Sequence, residues 1–402
     1  MKAVDVAAAI ALSVAATRAA AQARIPTIVL DHGATEFPES FSGVARVVEL
    51  RDRRLVVLDN TEKELRLVDI AHGTMTPISR HGGGPLEYQA PGILLTGAAD
   101  TVAYYDATQQ RILLISPSGT PLQVISLGTA NVVFAVLSGM QPSAVDARGR
   151  IYGQTAGMSM SGMGRSGSPP GMAFADTVEI QLLDRQKVTG TTLTRIRNPI
   201  AQVAPKIAMG PDGITISMTA PGFFPVDAWA VLPDGRLAVL RDGVYQVHFL
   251  APGRPETVGP VIPYTPIPVT DAERRTLLDS LRAQLDSQMA KTRAAMSRGG
   301  GATNVPKIDA RVIEPTKWAS TKPAYTALSS APDGHLWVTV SQPAASRSML
   351  FDVLDGRGAM VAHVQLADGE LPVGFGRGTV YTIRIDDDDL QYLRRYQLPR
   401  LP

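Results

Sequence analysis

The sequence predicts an all-β fold: a six-bladed β-propeller closed by its N-terminal strand, with one inserted α-helix. Three observations support this prediction. A unit made of a polar turn and a short β-rich run recurs along the chain, and apolar and polar residues alternate within the runs. Hydrophobic residues make up 45% of the 402 residues and charged residues 19%, which is typical of a globular protein. A pair of β-sandwiches is the alternative that the same alternation allows.

The repeat has the length of a propeller blade. Six β-rich runs follow polar turns, and they begin near Leu55, Val102, Ile151, Leu237, Leu336 and Val380. Three of the five intervals between these runs match the ~40–50 residues of one blade. The other two intervals are longer because they contain insertions. Blades bury their faces only by stacking around a shared axis, so six units predict six blades.

Each unit contains four strand signals. In the first unit they are Gly43–Leu50, Leu55–Asp59, Glu64–Ile70 and Thr74–Ser79. The sixth unit has only three after its start, and the apolar, β-branched segment Ile25–Leu30 stands alone near the N-terminus. We therefore predict that Ile25–Leu30 completes the last blade and closes the ring, which removes two open sheet edges.

Two insertions interrupt the blades. Thr270 and Glu273 form a capping-box pattern, and the apolar residues that follow recur at helical spacing until Gly299. This pattern predicts a helix over about 270–298, between the fourth and fifth blades. The segment of about 156–172 is rich in Gly, Ser, Pro and Met, a composition that predicts a flexible loop.

Residues 1–23 have the pattern of a secretory signal peptide. Lys2 supplies a positive charge, Val6–Ala16 is apolar, and Ala21–Ala23 matches a small-x-small cleavage site. We therefore expect residues 24–402 to form a single propeller domain that is exported, either to the periplasm or outside the cell. No later apolar run approaches the ~20 residues of a membrane span, so we expect none.

The composition also limits the classes of partner and of chemistry that we expect. The net charge of +2 supplies no electrostatic footprint for nucleic acid. The chain has no cysteine, which excludes disulfides and thiolate catalysis. We expect a monomer whose partner is a protein, a peptide or a small molecule.

Several stretches resemble NHL-type six-bladed β-propellers. They are Phe41–Ala45, Arg53–Asp59, Glu64–Asp69 and Ile78–Tyr88. The sequence is most similar to a group of exported bacterial propeller proteins of unassigned role, in which a Gly-Arg-x-Gly-x-Gly-Pro-Gly-Glu-Phe run links the first two blades. Here Leu86 replaces a glycine of that run and Tyr88 replaces its aromatic residue. The resemblance implies the fold but no activity, because the group has no single activity.

The loop between the first two blades carries one candidate binding site. Arg80, His81, Glu87 and Tyr88 lie close together in the sequence around a glycine run. These side chains offer charge, an imidazole and an aromatic ring to a ligand. The alternative is that they hydrogen-bond to each other and fix the loop. The glycines are not followed by the Lys and Ser/Thr of a phosphate-binding loop.

A second candidate site is the acidic run Asp386, Asp387, Asp388 and Asp389. Clustered carboxylates suit Ca²⁺. The run lies between two strand signals of the last blade, so the alternative is a solvated hairpin tip. No other cofactor is predicted.

For function, the sequence favours an exported propeller that acts as a binding scaffold, because no reaction motif is found in it. The alternative is a metal-assisted hydrolase or lyase. Some six-bladed propellers, gluconolactonase-like and streptogramin lyase-like ones, hold a divalent ion on the propeller axis. Asp106, Asn131, Asp146 and Glu179 are candidates for such a site here, although no spacing selects them. The six histidines show no metal-binding motif.

Overall fold

The computed structural model describes residues 25–89, 92–95, 101–127, 140–146, 148–155, 157–161, 171–184, 189–198, 201, 203, 206–210, 213–298 and 308–401. The predicted signal peptide, residues 1–23, lies outside the described residues. Within them, six sheets of four or five strands follow each other along the chain. This confirms the six-bladed β-propeller and excludes the paired sandwiches.

The N-terminal segment and the first two blades have the following strands. The segment contains β1 (Thr27–Leu30) and β2 (Thr35–Phe41). Blade one contains β3 (Val44–Glu49), β4 (Leu55–Asp59), β5 (Glu64–Asp69) and β6 (Thr74–Pro77). Blade two contains β7 (Ile93–Leu95), β8 (Val102–Asp106), β9 (Arg111–Ile115) and β10 (Pro121–Ser126).

Blades three and four follow the same antiparallel order. Blade three contains β11 (Met140–Val145), β12 (Ile151–Thr155), β15 (Thr177–Asp184) and β16 (Thr189–Arg197). Its insertion contains β13 (Met158–Ser161) and β14 (Gly171–Phe174), which pair as a hairpin, while residues 162–170 lie outside the described part of the chain. Blade four contains β19 (Ala228–Val231), β20 (Leu237–Leu240), β21 (Val247–Leu250) and β22 (Thr257–Val258).

The last two blades both use the N-terminal segment. Blade five contains β24 (Tyr325–Ser330), β25 (Leu336–Val340), β26 (Leu350–Leu354) and β27 (Met360–Leu366), and β1 joins β27 in parallel as a fifth strand. Blade six contains β28 (Leu371–Gly376), β29 (Thr379–Ile385) and β30 (Gln391–Gln397), and β2 joins β30 antiparallel as its fourth strand.

Closure by the N-terminal segment is therefore confirmed, but the strand that completes blade six differs from the prediction. The sequence assigned this role to Ile25–Leu30, whereas the structure assigns it to β2. The reason is burial: Phe37 and Phe41 of β2 enter the core between blades six and one. In β1, by contrast, Val29 is exposed and only Leu30 is fully buried. The edge of blade five accepts this weaker strand.

A hydrophobic cluster fills each of the six junctions between neighbouring blades. Strand β4 shows how the sequence builds two clusters at once. Leu55 and Val57 pack towards blade six, and Val56 and Leu58 pack towards blade two. Because both faces of the strand are covered, all its residues are buried, and the period-two alternation sorts them between two junctions.

The inserted helix α1 (Asp271–Arg298) is confirmed between blades four and five. Its start has the predicted capping box: the Thr270 backbone N–H donates to Glu273 Oε2 (2.9 Å), and the Glu273 N–H donates to Thr270 Oγ1 (3.2 Å). A small sheet that the sequence did not predict lies beside it, made of β17 (Lys206–Gly210), β18 (Gly213–Thr219) and β23 (Ile308–Ile313). In the described part of the chain, no helix combines the length and apolarity needed to cross a bilayer.

Strand direction gives the propeller two different ends. Turns between the first and second strands, and between the third and fourth, lie at one end, which we call the hairpin end. Turns between the second and third strands, and the connections between blades, lie at the other, the connection end. The β13–β14 hairpin, the small sheet and α1 all belong to the connection end.

Candidate functional site

The innermost strand of each blade faces the propeller axis. These strands are β3, β7, β11, β19, β24 and β28. Among these six described strands, only β3 carries charged side chains, Arg46 and Glu49. In the described part of the chain, the innermost strands are therefore largely uncharged, and Arg46 is their one cation.

A pocket of about 420 Å³ opens along this axis between blades five, six and one. Three of its strands are irregular where they line it: the pairing register shifts between Val44 and Arg46, between Tyr325 and Ala327, and between Pro372 and Gly374. Such bulges change the direction of side chains and increase the local twist of the strand. Strand β11 has the same irregularity, between Pro142 and Ala144, but does not line this pocket. We call this cavity the axial pocket.

Arg46 and Arg377 place two cations on the axial pocket. Arg46 is half-buried on β3, and Arg377 lies in the turn after β28 at the hairpin end. Burial lowers the pKa of Arg46, but a guanidinium starts so high that it remains charged at neutral pH. Two guanidiniums in a partly desolvated cavity are suited to hold an anion.

Glu49 lies beneath these cations and is fully satisfied by blade six. Its carboxylate, whose side chain is 0% exposed, accepts hydrogen bonds from Thr379 Oγ1 (2.7 Å), Tyr381 Oη (2.6 Å) and the Arg377 backbone N–H (3.2 Å). Burial, and then the charge of Glu49, raise the pKa of Tyr381 well above its usual range. The hydroxyl therefore stays a donor. This carboxylate fastens β3 to blade six and is not exposed to a ligand.

The predicted loop site is brought together by the structure. Arg80 Nε contacts Glu87 Oε1, Glu87 Oε2 accepts the Gly84 backbone N–H (2.6 Å), and the rings of His81 and Tyr88 meet edge to face at 6.3 Å. Glu87 has a lowered pKa because of the Gly84 N–H first and Arg80 second. These contacts hold the loop in shape, and its binding role remains a prediction.

Tyr88 is buried between blades one and two. It is 1% exposed, its ring lies 5.4 Å from that of Tyr104, and its hydroxyl accepts the Leu65 N–H (2.8 Å) and donates to Lys63 O (3.2 Å). Burial raises its pKa. The ring seals the junction between blades one and two and is not presented to a ligand, whereas Arg80 and His81 are exposed.

Asp386–Asp389 form the tip of the hairpin between β29 and β30. Asp386 Oδ1 accepts the backbone N–H groups of Asp388 (3.0 Å) and Leu390 (2.9 Å), and Asp387, Asp388 and Asp389 are exposed. No group of three or more His, Cys, Asp or Glu side chains among the described residues is placed to hold a metal ion. The geometry is that of a turn fixed by its first carboxylate.

The three described candidates for a metal on the axis, Asp106, Asp146 and Glu179, form no metal-binding group. Asp106 ends β8 at the connection end, where it accepts the N–H groups of Gln89 (2.9 Å) and Gln109 (2.9 Å). Asp146 lies at the hairpin end and binds Arg150 Nε (2.6 Å). Glu179 is engaged by Thr192, Arg195 and Gln181, which lower its pKa to about 2. Asn131 lies outside the described residues.

Sequence reasoning missed Arg46 and Arg377. A signal for Arg46 was present, because it is the one cation in the predicted first strand Gly43–Leu50. Arg377 had no such signal, since an arginine in a tight turn is common. Ser329 and Phe375 also line the axial pocket, and nothing in the sequence separates them from ordinary strand residues.

No family model matches the chain, and no curated protein matches it. Solved structures resemble it in fold. A member of the DUF4221 family from Bacteroides vulgatus shares 9% identity, with 92% of this chain and 98% of that one covered, at a TM-score of 0.46. A gluconolactonase from Xanthomonas campestris shares 10% sequence identity, with 92% of each chain covered, at a TM-score of 0.39. Virginiamycin B lyase from Staphylococcus aureus shares 10% sequence identity, with 90% of this chain and 98% of that one covered, at a TM-score of 0.38. Similarity this distant carries no inference about activity.

Proposed function

We propose that this protein is an exported binding protein and that its axial pocket takes a small organic anion. The observation that carries the proposal is the position of Arg46: it is the one cation on the six described innermost strands, and it lines a cavity of about 420 Å³. Ligand pockets of ~300–1,000 Å³ with a few placed polar groups are typical of small-molecule sites.

The walls of the axial pocket define the ligand further. Arg46 and Arg377 supply cations, Arg377 Nη1 lies 3.9 Å from Glu49 Oε1, and Ser329, Ser330 and Thr339 add hydroxyls. The rest of the lining is apolar apart from Glu49 and includes Phe351 and Phe375. Both aromatic rings are fixed by packing, since Phe375 stacks on Trp337 with ring centroids 4.6 Å apart. A carboxylate attached to an aromatic or aliphatic body matches this combination.

The test is a titration of the full chain with benzoate, phenyl phosphate and neutral benzyl alcohol, followed by calorimetry. We expect the two anions to bind more tightly than the alcohol, and Arg46→Gln to weaken anion binding by about tenfold or more, as for the loss of a charged hydrogen bond. Arg357→Gln is the matched control, because that side chain is 91% exposed and lies outside the pocket lining. Equal binding of all three probes, or an unchanged Arg46→Gln variant, would contradict the proposal.

A metal-assisted hydrolase or lyase is the alternative. Metal analysis of the purified protein, combined with a screen for lactone and ester hydrolysis, addresses it directly. A stoichiometric divalent ion together with turnover would replace the binding proposal by the enzymatic one.

A further inference from the structure

A second pocket lies in the cleft between blades four and five, away from the axis. Its volume is about 220 Å³. Tyr245 contributes from blade four, and Leu350, Asp352, Met360 and His363 contribute from β26 and β27 of blade five. We call it the cleft pocket. It shares no lining residue with the axial pocket.

The two ends of the helical insertion form the roof of the cleft pocket. Pro263–Ile267 precede α1, and Lys322–Ala324 follow β23. The two segments are joined by the Lys322 N–H bond to Ile267 O (2.8 Å) and by a contact between Lys322 Nζ and Glu273 of the first helical turn. The insertion therefore has a structural consequence: it covers part of a cavity in this cleft.

A chain of three side chains runs from the core into this cavity. Tyr245 Oη donates to Asp352 Oδ2 (2.7 Å), and His363 Nδ1 lies 2.7 Å from Asp352 Oδ1. Tyr245 and Asp352 are buried, whereas the His363 side chain is 32% exposed. Burial, and then Asp352, raise the pKa of Tyr245 far above its usual range, so its hydroxyl remains the donor.

This chain fixes the tautomer of His363. A carboxylate accepts hydrogen bonds and does not donate them, so the imidazole Nδ1–H donates to Asp352. In the neutral ring, Nε2 then carries a lone pair and acts as an acceptor. Asp352 and His363 are direct cross-strand partners on the blade face that looks towards blade four. The acceptor is therefore presented at the cleft pocket.

Charge at the cleft pocket favours a cationic ligand. Its charged lining residues are Asp352 and Lys322. Lys322 is engaged by Glu273 and by Gln342 O (2.6 Å), so its charge is balanced locally. The hydrogen bond from His363 Nδ1–H to the Asp352 carboxylate makes Nε2 a stronger acceptor. The exposed ring of Tyr264, at the rim, offers its face to a cation or an apolar group.

We propose that the cleft pocket binds a primary amine on a small apolar body, with the ammonium group donating to His363 Nε2. The apolar body would lie against Ile267, Pro323 and Met360, which line the same cavity. Asp352 acts by orienting the imidazole, and it does not touch the ligand. This site is independent of the axial pocket and of the function proposed for it.

Calorimetric titration of the full chain with benzylamine tests the proposal, with benzoate and benzyl alcohol as comparison probes. We expect benzylamine to bind most tightly of the three at this site. His363→Asn keeps a donor near Asp352 but removes the acceptor at Nε2, so it should weaken benzylamine binding by about tenfold. His363→Gln restores an acceptor at that distance and should recover most of the affinity.

His72→Asn is the matched control. His72 is an exposed residue of blade one, and its Nδ1 lies 2.8 Å from Asp69 Oδ2 in a similar pair. The substitution should leave benzylamine binding unchanged, as should Arg46→Gln in the axial pocket. If His363→Asn fails to fold, Tyr264→Ala decides, since that side chain is exposed and its loss should weaken binding. Absence of benzylamine binding, or equal affinity in His363→Asn or a folded Tyr264→Ala variant, would overturn the proposal.

Discussion

The hairpin end and the connection end of the propeller are built by different means. At the hairpin end, short turns contact neighbouring blades: Glu49 is bound by Thr379 and Tyr381 of blade six, and Arg236 donates to Gly356 O of blade five (2.8 Å). At the connection end, Arg80 contacts Glu87 of its own segment, and Arg111 of blade two also holds that segment by donating to Gly84 O (3.1 Å) and Glu87 O (2.7 Å).

The two ends also differ in the insertions that they accommodate and in the expected cost of a substitution. The hairpin end links blades through buried polar groups, so a change there leaves partners unsatisfied in the core. The connection end accommodates a helix, a small sheet and a hairpin without altering the order of strands in any blade. We therefore expect loss of the buried Glu49 at the hairpin end to weaken the packing between blades, and loss of the exposed Arg80 at the connection end to act locally.

Glu49→Ala should have the largest effect. Removing the carboxylate leaves the hydroxyls of Thr379 and Tyr381 buried without their acceptor, and it leaves Arg53 and Arg377, each 3.9 Å away, without a counter-charge. We expect the free energy of unfolding to fall by about 3–5 kcal/mol. Denaturant unfolding followed by circular dichroism measures this.

Arg80→Ala is the partner experiment at the connection end. Arg80 contacts a carboxylate, but its side chain is 85% exposed, so the change should stay within about 0.5 kcal/mol. If Glu49→Ala and Arg80→Ala destabilised the protein equally, the contrast between the two ends would be wrong.

Thr270→Ala should have an intermediate and local effect. The substitution removes the Thr270 hydroxyl that accepts the Glu273 N–H at the start of α1. Loss of such a cap costs about 1 kcal/mol of helix stability. Hydrogen exchange should show faster exchange in the first turn of α1, with the blade amides unchanged. Equal acceleration in the blades would mean that the helix and the ring unfold together.

Glu87→Gln should have the smallest effect, and that effect should depend on pH. The pKa of Glu87 is lowered by the Gly84 N–H and by Arg80. A lowered pKa means that the carboxylate stabilises the fold above the pKa it has in the unfolded chain, and that this stabilisation is lost as the pH falls through its folded value. The Tm of the variant should therefore be slightly below that of the wild type at neutral pH and should converge with it in acid.

Most of the fold was predictable from the sequence because each blade repeats one local pattern. The run Leu55–Leu58 is apolar throughout, and the structure shows why: both faces of the strand are covered by neighbouring blades. The strand β2 was missed because Pro38 and two polar residues, Glu39 and Ser40, lie between its two phenylalanines. Burial of Phe37 and Phe41 depends on blade six, which is distant in sequence.

The candidate sites were much less predictable. The loop containing Arg80 and Glu87 could be found because its members are neighbours in the chain. The axial pocket combines Arg46 from β3 with Arg377 from a turn of blade six, and the cleft pocket combines Tyr245 with Asp352 and His363. Such sites depend on how the ring brings separate blades together, which no spacing along the chain records.

The pairing of β2 with β30 also constrains how the molecule is made. Residues 35–41 are synthesised long before their partner strand, residues 391–397. Phe37 and Phe41 therefore remain without their final contacts until residues 391–397 have been synthesised. Non-local pairing of this kind slows folding and leaves apolar surface open to aggregation. A factor that shields the nascent N-terminal segment would act during this interval.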